Sequence, residues 1–178
     1  MTARNKRGKN KMAQTYTSAG TSINSRNLPA VFRKATFTAS IVMDYGSGKY
    51  TEHIREFING QHRTYLPFDP YNQTEERNRT TALIVMNAMG THFPVDVVCS
   101  NVLNVIDDDD TVRKIAGHIE EIVTATGGTG FVTVYDGNRS GIGRRTGPDQ
   151  YQRNEPLRNY LRFFRSATIR NGMIIVKG

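Results

Sequence analysis

Thr80-Thr81-Ala82-Leu83-Ile84-Val85-Met86-Asn87-Ala88-Met89 is the stretch on which the fold class turns. Its unbroken apolar centre, Ala82 to Met86, reads as a buried strand. Upstream, a period-2 pattern over 35–43 places Ala35, Phe37, Ala39, Ile41 and Met43 on one face of another strand. Asp44-Tyr45-Gly46-Ser47-Gly48 follows as a turn. Residues 50–58 read as a short helix with Ile54, Phe57 and Ile58 on one side, and 61–66 as a further strand. Pro67 and Pro70 make 67–78 a loop. Downstream, 95–106 is a strand. Asp107-Asp108-Asp109-Asp110 then opens the clearest helix, in which Val112, Ile115, Ile119, Ile122 and Val123 share a face until Gly127-Gly128 end it. Residues 131–135 form a strand and 136–156 a long loop. Residues 160–166 and 168–176 read as closing strands, with Asn171-Gly172 as a turn signal.

Strands dominate this reading, which predicts a mainly β chain with one or two helices. A jelly-roll-like β-sandwich accommodates it. The alternative is an α+β ferredoxin-like βαββαβ order, with strands at 35–43, 80–89, 95–105 and 130–135 and helices at 50–58 and 111–125. That order leaves the C-terminal strands over. The 178 residues suffice for one domain with a core. Residues 1–27 are rich in Lys, Arg, Asn, Ser, Thr and Gly without apolar period, so a disordered basic arm is expected there, followed by a globular domain over 28–178.

Charge is distributed unevenly. The formal net charge is +8. Residues 1–34 carry eight basic residues (Arg4, Lys6, Arg7, Lys9, Lys11, Arg26, Arg33 and Lys34) and no acidic ones. Residues 137–178 carry nine basic and two acidic residues, whereas 35–136 hold seven basic and fourteen acidic. Basic ends around an acidic middle fit a chain whose ends meet a polyanion. The run Arg4 to Lys11 is a polycation suited to phosphates. Arg139, Arg144 and Arg145 in the glycine-rich loop, with Arg153, Arg158, Arg162 and Arg165 near aromatic residues, are the C-terminal candidates for nucleic-acid contact, since guanidinium grips phosphate bidentately and stacks on bases. The competing use of these arginines is ion pairing with the acidic middle.

Motifs for other chemistry are sparse. Asp107, Asp108, Asp109 and Asp110 suit a helix N-terminus. They also offer carboxylates for Ca²⁺, at a subunit interface if anywhere, although the spacing is not that of an EF-hand. No cofactor is otherwise expected. Cys99 lies in an apolar run, reads as a buried small hydrophobe, and cannot form an intramolecular disulfide. The four histidines are dispersed, and no serine or cysteine nucleophile motif occurs, so an enzyme is not expected. No stretch approaches the length of a membrane span.

A basic N-terminal arm, a β-rich domain and a final strand ending at Val176-Lys177-Gly178 give the chain a layout that resembles small icosahedral virus coat proteins. Phe131-Val132-Thr133-Val134-Tyr135-Asp136-Gly137-Asn138-Arg139, a strand running into a basic glycine-rich loop, is similar to plant single-stranded-DNA virus coat proteins. The resemblance implies a viral capsid protein that packages DNA or RNA and self-associates into a multi-subunit shell. It would reside in the virion and in host cytoplasm or nucleus. A non-enzymatic viral nucleic-acid-binding protein, of the movement or silencing-suppressor kind, is the alternative.

Overall fold

The computed structural model describes residues 14–18, 20 and 27–178. Its centre is a six-stranded mixed sheet in the order β2-β1-β3-β4-β8-β7. The strands are β1 (Ile41–Tyr45), β2 (Thr64–Phe68), β3 (Val95–Ser100), β4 (Thr129–Thr133), β7 (Ala167–Arg170) and β8 (Met173–Lys177). A separate short hairpin pairs β5 (Arg144–Gly147) with β6 (Gln150–Gln152). Strands β1 to β4 are parallel to one another, while β8 runs antiparallel to both β4 and β7. Helix α2 (Glu52–Asn59) joins β1 to β2, α3 (Glu75–Thr91) joins β2 to β3, and α4 (Asp109–Thr126) joins β3 to β4. A short helix α1 (Ala30–Lys34) precedes β1.

Parallel strands need crossover helices, and these cover both faces of the sheet. On one face Val31 and Phe32 of α1 and Ile54 and Ile58 of α2 pack with Val42, Val98 and Phe131. On the other, Val85 and Ala88 of α3 and the apolar stripe of α4 pack with Met43, Val97, Cys99 and Val132. Strand β3 is buried from Val95 to Cys99 without alternation, as a strand covered twice must be. Asp96 is the polar exception. Its carboxylate accepts from the Thr38 and Ala39 amides at 2.7 and 2.9 Å and from the Thr129 amide at 2.9 Å, which leaves no oxygen of the pair without a donor.

This architecture is α/β, and it corrects the mainly β expectation. The decisive stretch, Thr80 to Met89, is helical. The helix begins well before the apolar run, at Thr74, whose hydroxyl accepts from the Arg77 amide at 3.2 Å, with Glu75 and Glu76 in its first turn. A jelly roll is two packed antiparallel sheets, and here a single sheet lies between helices. The ferredoxin-like order fails with it, because 80–89 supplies no strand and β1 to β4 are all parallel. Residues 160–166 also change: Leu157–Phe163 is a 3-10 helix that buries Tyr160 and Phe163, three apart, on one side. Strand β1 starts only at Ile41, because Asp96 holds the chain at Thr38 and Ala39 out of the sheet.

Other expectations hold. Helix α2 covers 52–59 of the expected 50–58, and α4 is capped by Asp108 at its start and by Gly127 at φ +72° at its end. The turn Asn171-Gly172 takes φ +53° and +72° between β7 and β8, the pair of left-handed residues a two-residue hairpin requires. Cys99 is fully buried, as read.

Candidate functional site

Strand order locates the site. From β1 the chain leaves through α2 to β2 on one side, then returns through α3 to β3 on the other. The loops after β1 and β3 therefore diverge, and the C-terminal edge of the sheet opens a crevice between them. In open α/β sheets ligands bind at this switch point.

β1 ends in Asp44-Tyr45, and the loop that follows is Gly46-Ser47-Gly48. Gly46 and Gly48 take φ +82° and +70°. A Cβ on Gly46 would lie 2.3 Å from Cγ2 of Val102, so both the backbone angle and the neighbour demand glycine. The amides of Gly46 and Ser47 donate to the Phe68 carbonyl at 2.7 and 3.2 Å. Asp69, just beyond β2, ties the two loops together. Its carboxylate accepts from the amides of Gly48, Tyr71 and Asn72, each at 2.9 Å, while Gln73 Nε2 donates to the Gly48 carbonyl at 2.5 Å. A glycine turn between strand and helix, with an acidic residue about 25 residues after Asp44 just beyond the next strand, has the spacing of the nucleotide-binding turn in doubly wound folds, and here the Asp69 oxygens are taken by backbone amides.

A cavity of about 590 Å³ opens above this turn. Its walls are the turn itself, Ser100-Asn101-Val102 at the end of β3, Tyr135, Gly137 and Asn138 after β4, the β5–β6 hairpin, and Gln14, Thr17 and Ser18 from the N-terminal segment. Amides are frequent in the lining: Asn72, Asn101, Asn104, Asn138, Gln152 and Asn154. Two polar atoms of lining residues, Ser47 Oγ and Asn72 Oδ1, are shut off from solvent and have no hydrogen-bond partner among the described residues.

The electrostatics are distinctive. Asp44 is only 2% exposed, and the Tyr65 hydroxyl donates to its Oδ2 at 2.6 Å. Burial pushes its carboxyl up to about 7, against the lowering effect of the Tyr65 hydrogen bond and with a smaller push from Asp69. Among the described residues the lining holds Asp44 and Asp69 but a single arginine or lysine, Arg144. Helix α2 bears Glu52 in its first turn. Burial raises the Tyr45 hydroxyl well above its ordinary range, and that hydroxyl lies 3.2 Å from His118 Nδ1.

The structure scatters the residues expected from charge alone. Arg4, Lys6, Arg7, Lys9, Lys11 and Arg26 lie outside the described residues. Arg33 and Lys34 are exposed at the end of α1, and Arg158 is exposed in the 3-10 helix. Arg144 lines the cavity, Arg145 donates to the carbonyls of Gly147 and Pro148, and Arg139 pairs with Asp136 at 2.9 Å. Arg153 requires correction as a phosphate contact. It is 5% exposed and holds Asp109 at 2.6 Å and the Ile106 carbonyl at 2.5 Å, so it faces the interior. Arg162 forks onto both Glu155 oxygens, at 2.5 and 3.0 Å, and stacks on Phe163. Arg165 lies 3.4 Å from Glu120 with its side chain largely in solvent. For these three, pairing with acidic partners is the observed use.

The four aspartates diverge as well. Asp107 accepts from the Thr15 amide, Asp108 caps α4 through Thr111, Asp109 meets Arg153 and Asp110 meets Arg113. No cluster of three or more potential metal ligands occurs among the described residues. Charge counting passed over the site itself. Asp44 to Gly48 looked like an ordinary turn, and Asp69 lay in a stretch read as loop. The available signal was the spacing: strand, glycine turn, helix, strand, then an acidic residue.

No known protein family matches the chain, and neither a curated protein nor a solved structure matches it at a significant level. No described helix is long and apolar enough to cross a membrane.

Proposed function

We propose that the switch-point cavity binds a nucleoside carrying a positive charge, S-adenosylmethionine, and that the protein is a methyltransferase. The observation that carries this reading is the pairing of a nucleotide-type glycine turn with an acidic cavity. A dinucleotide or a nucleoside triphosphate brings phosphates to the turn, where they need cations or a free helix N-terminus. Here the turn is flanked by Asp44 and Asp69, both of which line the cavity. With Asp44 ionised, those carboxylates repel phosphate and attract a cation.

With S-adenosylmethionine bound, an acceptor atom would attack the sulfonium methyl carbon as the carbon–sulfur bond breaks, S-adenosylhomocysteine leaving as the neutral thioether and the acceptor's proton passing to solvent. Such a displacement needs no protein nucleophile, only proximity and alignment. The chain's residues accordingly have holding roles. Gly46 and Gly48 let the backbone come close, Asp69 fixes the loop pair that forms the floor, and Asp44 once ionised neutralises the cation. Tyr45 and the residues after β3 border the space left for the acceptor.

This reading does not need the coat-protein resemblance, which implied a jelly roll that the chain does not form. What the charge distribution suggests, contact with nucleic acid, is independent of that fold. Isothermal titration with S-adenosylmethionine, S-adenosylhomocysteine and NAD tests the proposal. We expect the cationic S-adenosylmethionine to bind more tightly than its uncharged thioether product and NAD to bind least. NAD binding more tightly than S-adenosylmethionine, or no adenosyl compound binding at all, would overturn it.

A further inference from the structure

The cavity is acidic inside and basic and aromatic at its mouth. Tyr50, Tyr71 and Tyr135 line it and are exposed, Tyr50 at 52% and Tyr135 at 63%. Arg144 is exposed on the same rim, beside Arg145 at the base of the β5–β6 hairpin. The N-terminal segment reaches this mouth too. Tyr16 stacks on Tyr151 with ring centroids 5.8 Å apart, and the Thr17 amide donates to Asp149 at 2.8 Å.

We propose that the methyl acceptor is a nucleic acid, with a base presented to the cavity and the phosphates kept on the rim; this rests on the methyltransferase reading above. Exposed tyrosines offer stacking platforms that any base can use, and arginines hold the backbone. The interior carboxylates Asp44 and Asp69 turn phosphates away, so the uncharged base enters rather than the backbone. An acidic peptide would answer to the same cations. It has no use for three exposed rings, and nucleic acid is therefore the better fit.

Full-length protein is titrated against fluorescein-labelled DNA and RNA single strands of about 20 nucleotides and against duplex, with anisotropy read over a range of salt. Tritium from methyl-labelled S-adenosylmethionine is then followed into strands and into an acidic peptide. The variants are Arg144→Glu with Arg145→Glu, and Tyr50→Ala and Tyr135→Ala singly; all four residues are exposed, and circular dichroism checks the fold. We expect strand binding that weakens with salt, falls about tenfold for each tyrosine removed, and falls further on charge reversal, with label entering the strands. If S-adenosylmethionine binds but strands do not, or the rim variants bind them unchanged, or label enters the peptide alone, the acceptor assignment is overturned and the cofactor reading stands. If S-adenosylmethionine does not bind, both fall.

Discussion

Replacing Asp44 with Asn tests the electrostatics of the cavity directly. The carboxyl moves from 3.8 to about 7 on folding, chiefly by burial. Between those pH values the unfolded chain gives up a proton that the folded protein retains. Stability of the native protein therefore falls as pH rises through this window and levels off above 7. A displacement of roughly three units corresponds to about 4 kcal/mol. Asparagine has no charge to bury, and its carbonyl can still accept from the Tyr65 hydroxyl. We expect Asp44→Asn to match the native protein near pH 4 and to exceed it by up to about 4 kcal/mol at pH 8. Urea unfolding followed by far-ultraviolet circular dichroism at a series of pH values measures the difference, since the chain has no tryptophan. A stability difference that is constant with pH, or that favours the native protein at pH 8, would refute the burial argument. The ligand should respond oppositely. Ionised Asp44 is the form that attracts a cation, so native affinity for S-adenosylmethionine should rise toward pH 7 and flatten above it, while the variant binds weakly and without that dependence.

Three further outcomes follow from local geometry. Gly46→Ala forces a Cβ against Val102 at φ +82° and should cost ~1–3 kcal/mol in denaturant unfolding while abolishing S-adenosylmethionine binding. Asp108→Ala removes the cap of α4 and should cost about 1 kcal/mol; because hydrogen bonds from Thr111 lower the native carboxyl, this contribution is present at neutral pH and is lost as pH falls through its lowered value, which acid titration of both proteins will show. Arg153→Ala takes the buried guanidinium from Asp109 and the Ile106 carbonyl, while Glu155 keeps Arg162, and should cost about 1–3 kcal/mol in thermal unfolding, yet leave strand affinity of the folded protein unchanged. Weaker binding without lost stability would return Arg153 to the nucleic-acid surface.

Periodicity is legible when one face of an element is buried and the other is wet. Helix α4 fits that rule: Val112, Ile115, Ile119, Ile122 and Val123 are buried, and Asp108 and Gly127 bracket it. The Asn171-Gly172 turn was legible from its local chemistry, but the strands it joins were not: 168–176 reads as one strand, and the turn divides that stretch into β7 and β8. Helix α3 was not legible. It buries Thr81, Val85 and Ala88 but exposes Leu83 and Met86, so its apolar residues form a run instead of a stripe. A run of that length suits a strand as well as a helix. That one misreading converted an α/β alternation into a β-rich chain and removed the switch point from view.

Sequence alone determined the uneven charge, the single buried cysteine, the absence of a disulfide pair, and the places of α2, α4, β3 and β4, because these depend on composition and on neighbours within a few residues. Tertiary structure alone decided which charges act together. Arg153 and Asp109 are 44 residues apart and meet at 2.6 Å, whereas Arg144 is exposed at the cavity rim. Asp44 and Asp69 approach because β1 and β2 are parallel neighbours in register, with Asp44 opposite Pro67. Asp44 acquires its raised pKa only when the sheet and α2 exclude water from it. Charge is a property of a residue, but its solvation and its partners are properties of the packed chain, and the site depends on the latter.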